Sequence, residues 1–576
     1  MRTAPNSRTN AGALAEFPAL QDLLENWKAR LAGTDWTPWL IVALAAVLRF
    51  FLLGIKPPHF DEGINGWFVD QMVKNGYYRY DPTNYHGPLH FYILFLSQTL
   101  FGRNLWALRL PVVVVSILSV WLTTKFEPLV GRNVALWAAL AMAVSPAFVF
   151  YGRYSIHEVW LVFFSMLFIL GLLGLWRLGT ARHLWHAGMG LTGMILTKET
   201  DIIHVACAAI AAGVCYVSHR LAPAPDAKPA KQSWDLVDLA MIVATGAAVI
   251  IFFYSGTFFH WSGLKGLYQA YTAWFATGTQ GHGHEKPLDY WIRLIGRYEL
   301  PILLGLVTCI FCQRLKNISL RYLAIYGVGT LIAYSVVKYK TPWCIVSIVW
   351  PLLFAFGAGV LLTPLRLRKK EVQLLIAAWV VGLGVALWFA LSRKYEFAWP
   401  FLLLAALPLL VMALRDRQLL LALQAVVVAF SLGWSLWLNY FRCTTDTEPY
   451  VYVQTYNDIF KLTRPVLALA KRNPVFYQMT GHLIRTSSYP FPWILGEFPR
   501  VGYYEHDTLP AELDADFLLV EGDRIKDVEA KLQKSYYTQP LTIRPYQDTS
   551  KVYFEAHRFK DFFPGQVPDF SGKGPR

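Results

Sequence analysis

The sequence predicts a polytopic α-helical membrane protein of about thirteen transmembrane helices, with a small α/β domain at its C-terminal end. Three observations lead there. Hydrophobic residues fill 55% of the 576 positions and charged residues only 16%, whereas soluble globular domains carry about a quarter charged. Runs of roughly 20 apolar residues, each able to cross a hydrocarbon core of about 30 Å, recur between Trp36 and Tyr440. Beyond residue 440 these runs stop, and a helical stretch near 456–471, the strand-like Phe517-Leu518-Leu519-Val520, a charged helix near 524–534 and the strand Val552-Tyr553-Phe554 follow.

The apolar spans fall at about 37–55, 104–123, 134–150, 158–176, 184–197, 201–218, 236–254, 299–313, 320–337, 343–364, 372–391, 398–413 and 418–438. The first begins behind a polar stretch holding Arg2, Arg8, Lys28 and Arg30, unlike the short basic region of a cleaved signal peptide. It reads as the first transmembrane helix, with 1–36 as a cytoplasmic N-terminal segment. Net charge is +15, which in a soluble protein would point to nucleic acid. Here the basic residues gather in alternate loops: Lys125 and Arg132; Arg177 and Arg182; Arg220, Lys228 and Lys231; Arg314 and Lys316; Arg366, Arg368, Lys369 and Lys370; Arg415 and Arg417. The positive-inside rule makes these loops cytoplasmic. An odd number of crossings then puts 441–576 outside, so the expected setting is the plasma (inner) membrane, and the bilayer rather than nucleic acid is the partner. Of the six cysteines, Cys309 and Cys312 read as packing residues, because this lone Cys-x-x-Cys pair lacks the second pair a tetrahedral zinc site needs, and Cys443 alone falls in the polar C-terminal region, which so has no disulfide framework of its own.

Two long outer loops, 56–103 and 255–298, interrupt the transmembrane domain at 37–440. In the first, Ile64, Trp67, Phe68 and Met72 recur at helical spacing, predicting an amphipathic helix in the membrane interface. A comparable patch in the second surrounds Leu264, Leu267, Tyr268 and Tyr271. Long ordered loops usually carry function.

The polar groups that can do chemistry cluster at the outer ends of the spans. Asp61 and Glu62 follow the first span, and as helix-opening acids they can also serve simply as first-turn caps. Asn84-Tyr85-His86-Gly87-Pro88, Arg153-Tyr154-Ser155-Ile156-His157-Glu158 and Thr197-Lys198-Glu199-Thr200 lie at the same depth. Charged side chains where apolar helices enter a bilayer cost energy unless they face a polar interior. Lys198–Glu199 or Arg153–Glu158 pairs that merely fix helix ends are the alternative. Lys338 and Lys340, before Thr341-Pro342-Trp343, can bind an anion or snorkel to headgroups. His282 and His284 in a glycine-rich segment can hold a divalent metal if His86 or Glu62 joins them, or can belong to a solvated loop. Arg293, Arg297 and Glu299 open the next span.

Adjacent acids after the first span, Tyr-His-Gly-Pro before the second and Arg153-x3-His157-Glu158 heading the fourth resemble the GT-C glycosyltransferases, most of all the protein O-mannosyltransferase and aminoarabinose-transferase branch. The strings Tyr80–Pro88 (YDPTNYHGP), Tyr339–Trp343 (YKTPW) and Pro449–Thr455 (PYVYVQT) resemble a prokaryotic subfamily associated with flippase activity in archaeal N-glycosylation. Thirteen spans and an outer C-terminal domain are also the aminoarabinose-transferase layout, so the resemblance covers nearly the whole chain. The resemblance implies that Asp61 is the catalytic acid, with Glu62 its acidic neighbour and Glu158 where relatives often have an aspartate. It matches Lys198 to a basic position at the end of the fifth span. His86 falls near a metal position in some relatives, and His284 lies in a loop that can add a ligand.

The implied reaction is transfer of a sugar from a polyprenyl-phosphate donor to an acceptor hydroxyl of a protein, lipid or glycan, on the outer face of the membrane. Such chemistry needs a carboxylate to accept the hydroxyl proton, cations for the departing phosphate and a groove for the lipid. Asp61 is the candidate base, with Glu158 as alternative base or sugar ligand. Arg153, Lys198, Lys340 and Arg293 are candidate phosphate partners, with His86, His157 and Glu199 completing the substrate site. A lipid donor accords with the lack of a nucleotide-binding glycine motif. A flippase or transporter, or a non-catalytic accessory subunit of a glycan pathway, are the rival readings. Transporters tend to carry their charges near the midplane, whereas these crowd the outer ends.

Overall fold

The apolar runs fold as helices whose ends are set by local chemistry. A computed structural model describes residues 34–572 apart from Tyr85, 227–228, His282, Arg314, 363–367, 393–407, 409–410, 412–415 and 506–507. The span expected at 398–413 and nearly all of segment 1–36 lie outside the described residues.

The first helices are α1 (Thr37–Phe50), α2 (Phe60–Asn75), α3 (Leu89–Phe101), α4 (Leu105–Thr124), α5 (Arg132–Val144) and α6 (Pro146–Tyr151). There follow α7 (Glu158–Leu178), α8 (Ala181–Ile195), α9 (Asp201–Leu221), α10 (Leu236–Tyr254) and α11 (Ser262–Gln280). The membrane part closes with α12 (Tyr290–Tyr298), α13 (Leu300–Cys312), α14 (Ile318–Val336), α15 (Ile345–Gly357), α16 (Lys369–Leu391) and α17 (Arg417–Leu436). Among the described residues seven helices are long and apolar enough to cross a membrane, and α12 with α13, bent by 116°, makes an eighth if the pair is one span. α1, α3 and α5 are shorter apolar helices.

The run at 134–150 is not one helix. Ser145 interrupts it, its Oγ accepting from the Phe148 amide, and Pro146 opens the next helix because it has no N–H to leave unsatisfied. Every residue of α15 is buried, which makes it the central helix of the bundle. α10 and α16 lie at the edge and expose Val237, Val243, Leu374, Val380 and Trp388. All six cysteines are unpaired, and all but the half-buried Cys344 are buried.

Helix α2 differs from the expected interfacial helix. Trp67 and Phe68 are half-buried, and Phe68 packs against Tyr78 and Phe91. The opposite face, with Gly63, Asn65, Gly66 and Val69, is also buried. A Cβ on Gly63 would meet Pro490 at 2.5 Å, and one on Gly66 the Trp493 ring at 2.4 Å. The two glycines therefore let the C-terminal domain sit directly on the helix that carries Asp61.

That domain holds the helix α18 (Ile459–Arg472) and five strands: β1 (Gly481–Ile484), β2 (Val501–Tyr504), β3 (Phe517–Val520), β4 (Tyr536–Leu541) and β5 (Ser550–Glu555). Their order is β2-β1-β3-β5-β4, with β1 parallel to β2 and β3, and β5 antiparallel to β3 and β4. Phe517 and Leu519 face α18, while Leu518 and Val520 pack beneath Val528 and Leu532. Burial on both faces explains the unbroken apolar run of β3. The charged helix expected near 524–534 shrinks to Ile525–Glu529.

Candidate active site

Four backbone devices bring distant residues to one cavity. His59, in extended conformation, caps α2: its Nδ1 accepts from the Asp61 amide at 3.1 Å, and its own amide donates to Glu62 at 2.9 Å. Asp61 is thereby fixed in the first turn. The segment around His86 pairs with the turn after α8, through Gly87 N to Thr197 O at 3.1 Å and Leu89 N to Leu196 O at 3.1 Å. A Cβ on Gly87 would lie 2.2 Å from the Leu196 carbonyl oxygen, so only glycine admits this approach. The pairing sets His86 opposite Lys198. Glu158 opens α7 directly after His157. Finally, the extended residues before α15 turn Tyr339 and Thr341 into the cavity but not Lys340, and Trp343 and Cys344 of the 3-10 turn Pro342–Cys344 complete this wall.

The resulting cavity, of about 130 Å³, is lined by Asp61, Asn65, Asn84, His86, His157, Glu158, Lys198, Glu199 and Thr200, among others. Lys198 Nζ and Glu158 Oε1 form a direct ion pair, with side chains 8% and 4% exposed. Burial disfavours the Lys198 ammonium, but the Glu158 carboxylate outweighs it and holds the amine above its usual range. Glu199 is buried, 3.5 Å from His86 Nδ1, and neither of its oxygens accepts a hydrogen bond among the described residues. The His157 ring lies 4.6 Å from that of His86 and 4.3 Å from that of His90. Burial first, then the neighbouring imidazoles and Lys198, push His157 well below its ordinary value, so it is neutral, and its Nε2 has no partner among the described residues. Asp61 is the accessible carboxylate, its side chain 30% exposed. Its contact with His59 Nδ1, at 3.7 Å, is not an ion pair. That nitrogen already accepts from the Asp61 amide, His59 Nε2 faces the Tyr452 carbonyl at 2.9 Å, and burial lowers the imidazole's basicity.

Five of the residues expected at the site are held elsewhere. Glu62 faces away from Asp61: Arg109 Nε and Nη2 donate to its two oxygens at 2.8 and 2.7 Å, and the Ser155 amide adds a bond at 2.9 Å. Arg153 donates to the carbonyls of Leu48, Phe51 and Leu52 and so closes the end of α1. Arg293 is exposed and bonded to Asp289 at 2.6 Å. Lys340 Nζ reaches the Lys286 carbonyl at 3.1 Å. His284 lies 2.7 Å from the Tyr452 hydroxyl and packs on Tyr339.

Among the described residues no group of three or more His, Cys, Asp or Glu side chains is placed to hold a divalent ion. His86 lies beside Glu199 and His157, His284 lies beside Tyr339 and Tyr452, and His282 lies outside the described residues.

Arg109, His90 and Arg544 escape sequence reasoning. Arg109 and His90 sit in apolar helices and gain meaning only through their partners, Glu62 for the first and Ser155 Oγ, 3.0 Å from Nε2, for the second. Arg544 comes from the loop between β4 and β5. It is half-buried over the Phe60 ring, 3.9 Å from the centroid, and its charge is disfavoured by burial and supported by Asp61.

Residues 85–223 match the family described as dolichyl-phosphate-mannose-protein mannosyltransferase. Over nearly its full length the chain is similar to crystal structures of ArnT from Cupriavidus metallidurans. The one bound to undecaprenyl phosphate has 16% identity and a TM-score of 0.56, covering 94% of this chain and 100% of that one. The chain has the fold of these ArnT structures. The apo ArnT structure shares this fold as well, with 17% identity, a TM-score of 0.54 and coverage of 90% and 98%. No curated protein sequence matches the chain. The matched segment holds His86, Arg153, His157, Glu158, Lys198 and Glu199, while Asp61 and the C-terminal domain fall outside it.

Proposed function

We propose that this chain is a glycosyltransferase moving a sugar from a polyprenyl-phosphate donor to an acceptor hydroxyl. The observation that carries the reading is the meeting of Asp61, His86, His157, Glu158, Lys198 and Glu199, from well-separated segments, around one cavity. Its GT-C fold and its likeness to ArnT, one of whose structures holds undecaprenyl phosphate, support the lipid-linked donor. In the orientation given by the positive-inside rule, the cavity opens on the extracytoplasmic side of the plasma (inner) membrane.

Among the carboxylates Asp61 suits a base. Glu62 is closed off by Arg109, Glu158 is committed to Lys198, and Glu199 is buried, whereas Asp61 is accessible to an acceptor. The acceptor oxygen attacks the anomeric carbon as its proton passes to Asp61, and the carbon–oxygen bond to phosphate breaks. The polyprenyl phosphate leaves with the bonding electrons, next to Lys198, whose charge Glu158 sustains. His157 and Glu199, with polar atoms not engaged by the protein, hold the sugar hydroxyls. The test is transfer by the purified protein from a panel of polyprenyl-phosphate sugars, compared with Asp61→Asn. The substitution is expected to lower turnover by about 10²–10⁴-fold without changing thermal unfolding. Full turnover in that variant, or no transfer by the wild type from any donor, would overturn the assignment.

A further inference from the structure

We propose a second binding site, for the headgroup of an anionic phospholipid, on the membrane face opposite the candidate active site. Helix α7 connects the two: it starts at Glu158 in the active cavity and ends at Leu178 beside another cavity, of about 670 Å³. Its 21 residues span about 31 Å, one hydrocarbon core. The second cavity therefore lies at the other membrane surface.

Its walls combine the chemistry a charged lipid needs. Lys125, Arg132 and Arg182 supply cations, Trp39 and Trp121 supply the aromatic rings typical of a membrane interface, and Leu170 forms part of an apolar floor. Lys125 Nζ stands 4.7 Å from the Trp121 centroid. Arg132 is paired with Asp35, but among the described residues neither Lys125 nor Arg182 has a carboxylate within ion-pair distance. Glu127 also lines the cavity and offsets one of the charges. His186 contributes a buried Nδ1 with no hydrogen-bond partner among the described residues.

Topological bias toward basic loops explains cations on this face but not their collection in one hollow. Two other basic residues of this face are already engaged: Arg177 with Asp226 at 3.3 Å, and Arg321 with the Leu315 and Ala222 carbonyls. A free phosphate shares the anionic chemistry, but it makes no use of the Trp and Leu surface where acyl chains would lie.

The experiment titrates the full-length protein in neutral detergent with dioctanoyl phosphatidylglycerol, dioctanoyl phosphatidylcholine or inorganic phosphate, and reads retained ligand by native mass spectrometry. Two unpaired cations near the surface predict retention of phosphatidylglycerol about tenfold or more above phosphatidylcholine. Lys125→Gln with Arg182→Gln is expected to erase that preference and leave sugar transfer unchanged. Equal retention of the two lipids, or a preference that survives both substitutions, overturns the site. Displacement of the lipid by inorganic phosphate at equal concentration overturns the lipid assignment. If the double variant does not fold, Lys125→Gln alone must cut the preference about fivefold, and an unchanged preference there is equally decisive.

Discussion

Arg109 engages both carboxylate oxygens of Glu62, at 2.8 and 2.7 Å, with both side chains fully buried, while the adjacent Asp61 faces the cavity. Two neighbouring acids thus have opposite environments. Replacing Glu62 by Ala strands a buried guanidinium, which costs about 3–5 kcal/mol. The expected outcome is a large drop in thermal stability for Glu62→Ala and for Arg109→Ala, with activity falling only as fold is lost. Asp61→Asn should do the reverse. Equal stabilities for the Glu62 and Asp61 variants would remove the distinction.

Sequence patterning reached the membrane class, the C-terminal domain and the residues whose signal is local. Charges at the heads of apolar runs were visible as costly in lipid, and Asp61, His86, His157, Glu158, Lys198 and Glu199 do share a cavity. The failures lie where the partner is distant. Nothing near Glu62 announces Arg109, and nothing near Arg153 announces the open carbonyls of α1, since a side chain's direction depends on helices far along the chain. The apolar α3 was hidden inside a segment read as loop. The backbone pairing that joins His86 to Lys198 has no sequence signature beyond Gly87.

The Lys198–Glu158 pair separates a structural role from a chemical one. Lys198→Met leaves a buried carboxylate without its cation and is expected to cost about 3–5 kcal/mol. Combining it with Glu158→Gln removes the uncompensated charge, so stability should return. Transfer should stay reduced by about 10²–10³-fold, because the phosphate still lacks its cation. Recovery of turnover together with stability would assign the pair to folding alone.

His157 is kept neutral by burial, with its basicity well below that of a free histidine. The unfolded chain takes up this proton near pH 6.5 and the folded chain resists it, so acid favours unfolding. Stability is complete above about pH 6.5 and falls as pH drops, by up to about 1.4 kcal/mol per pH unit for one proton. His59 and His284 are shifted the same way and share the slope. Chemical unfolding of His157→Gln from pH 7.5 to 5 should show a slope smaller by one proton. An unchanged slope would mean that the imidazole is already charged.

Gly87 is a direct test of how the cavity is assembled. Alanine there would bring a Cβ within 2.2 Å of a main-chain oxygen that cannot rotate away. His86 must then move off the Lys198 turn. Overpacking of this kind costs about 1–3 kcal/mol, so the protein should still fold. Transfer should fall at least as far as in His86→Ala, seen as loss of kcat at saturating donor. Normal kcat in Gly87→Ala would show that this backbone pairing is dispensable.

Arg544 links the C-terminal domain to the reaction. Its guanidinium lies over Phe60, next to the proposed base, and is held by a 3.3 Å bond to Ser487 Oγ, leaving most of its donors for another molecule. Attack on the anomeric carbon brings the acceptor in on the side of Asp61, whereas the phosphate departs toward Lys198. In the proposed reaction Arg544 is therefore expected to serve the acceptor and not the donor. Arg544→Ala is expected to raise the acceptor KM about tenfold, the value of one charge-assisted hydrogen bond, with the donor KM unchanged. Lysine should restore little, because it lacks the planar stack on Phe60. A rise in the donor KM instead would move Arg544 to the phosphate side and reverse the direction of attack inferred from Asp61.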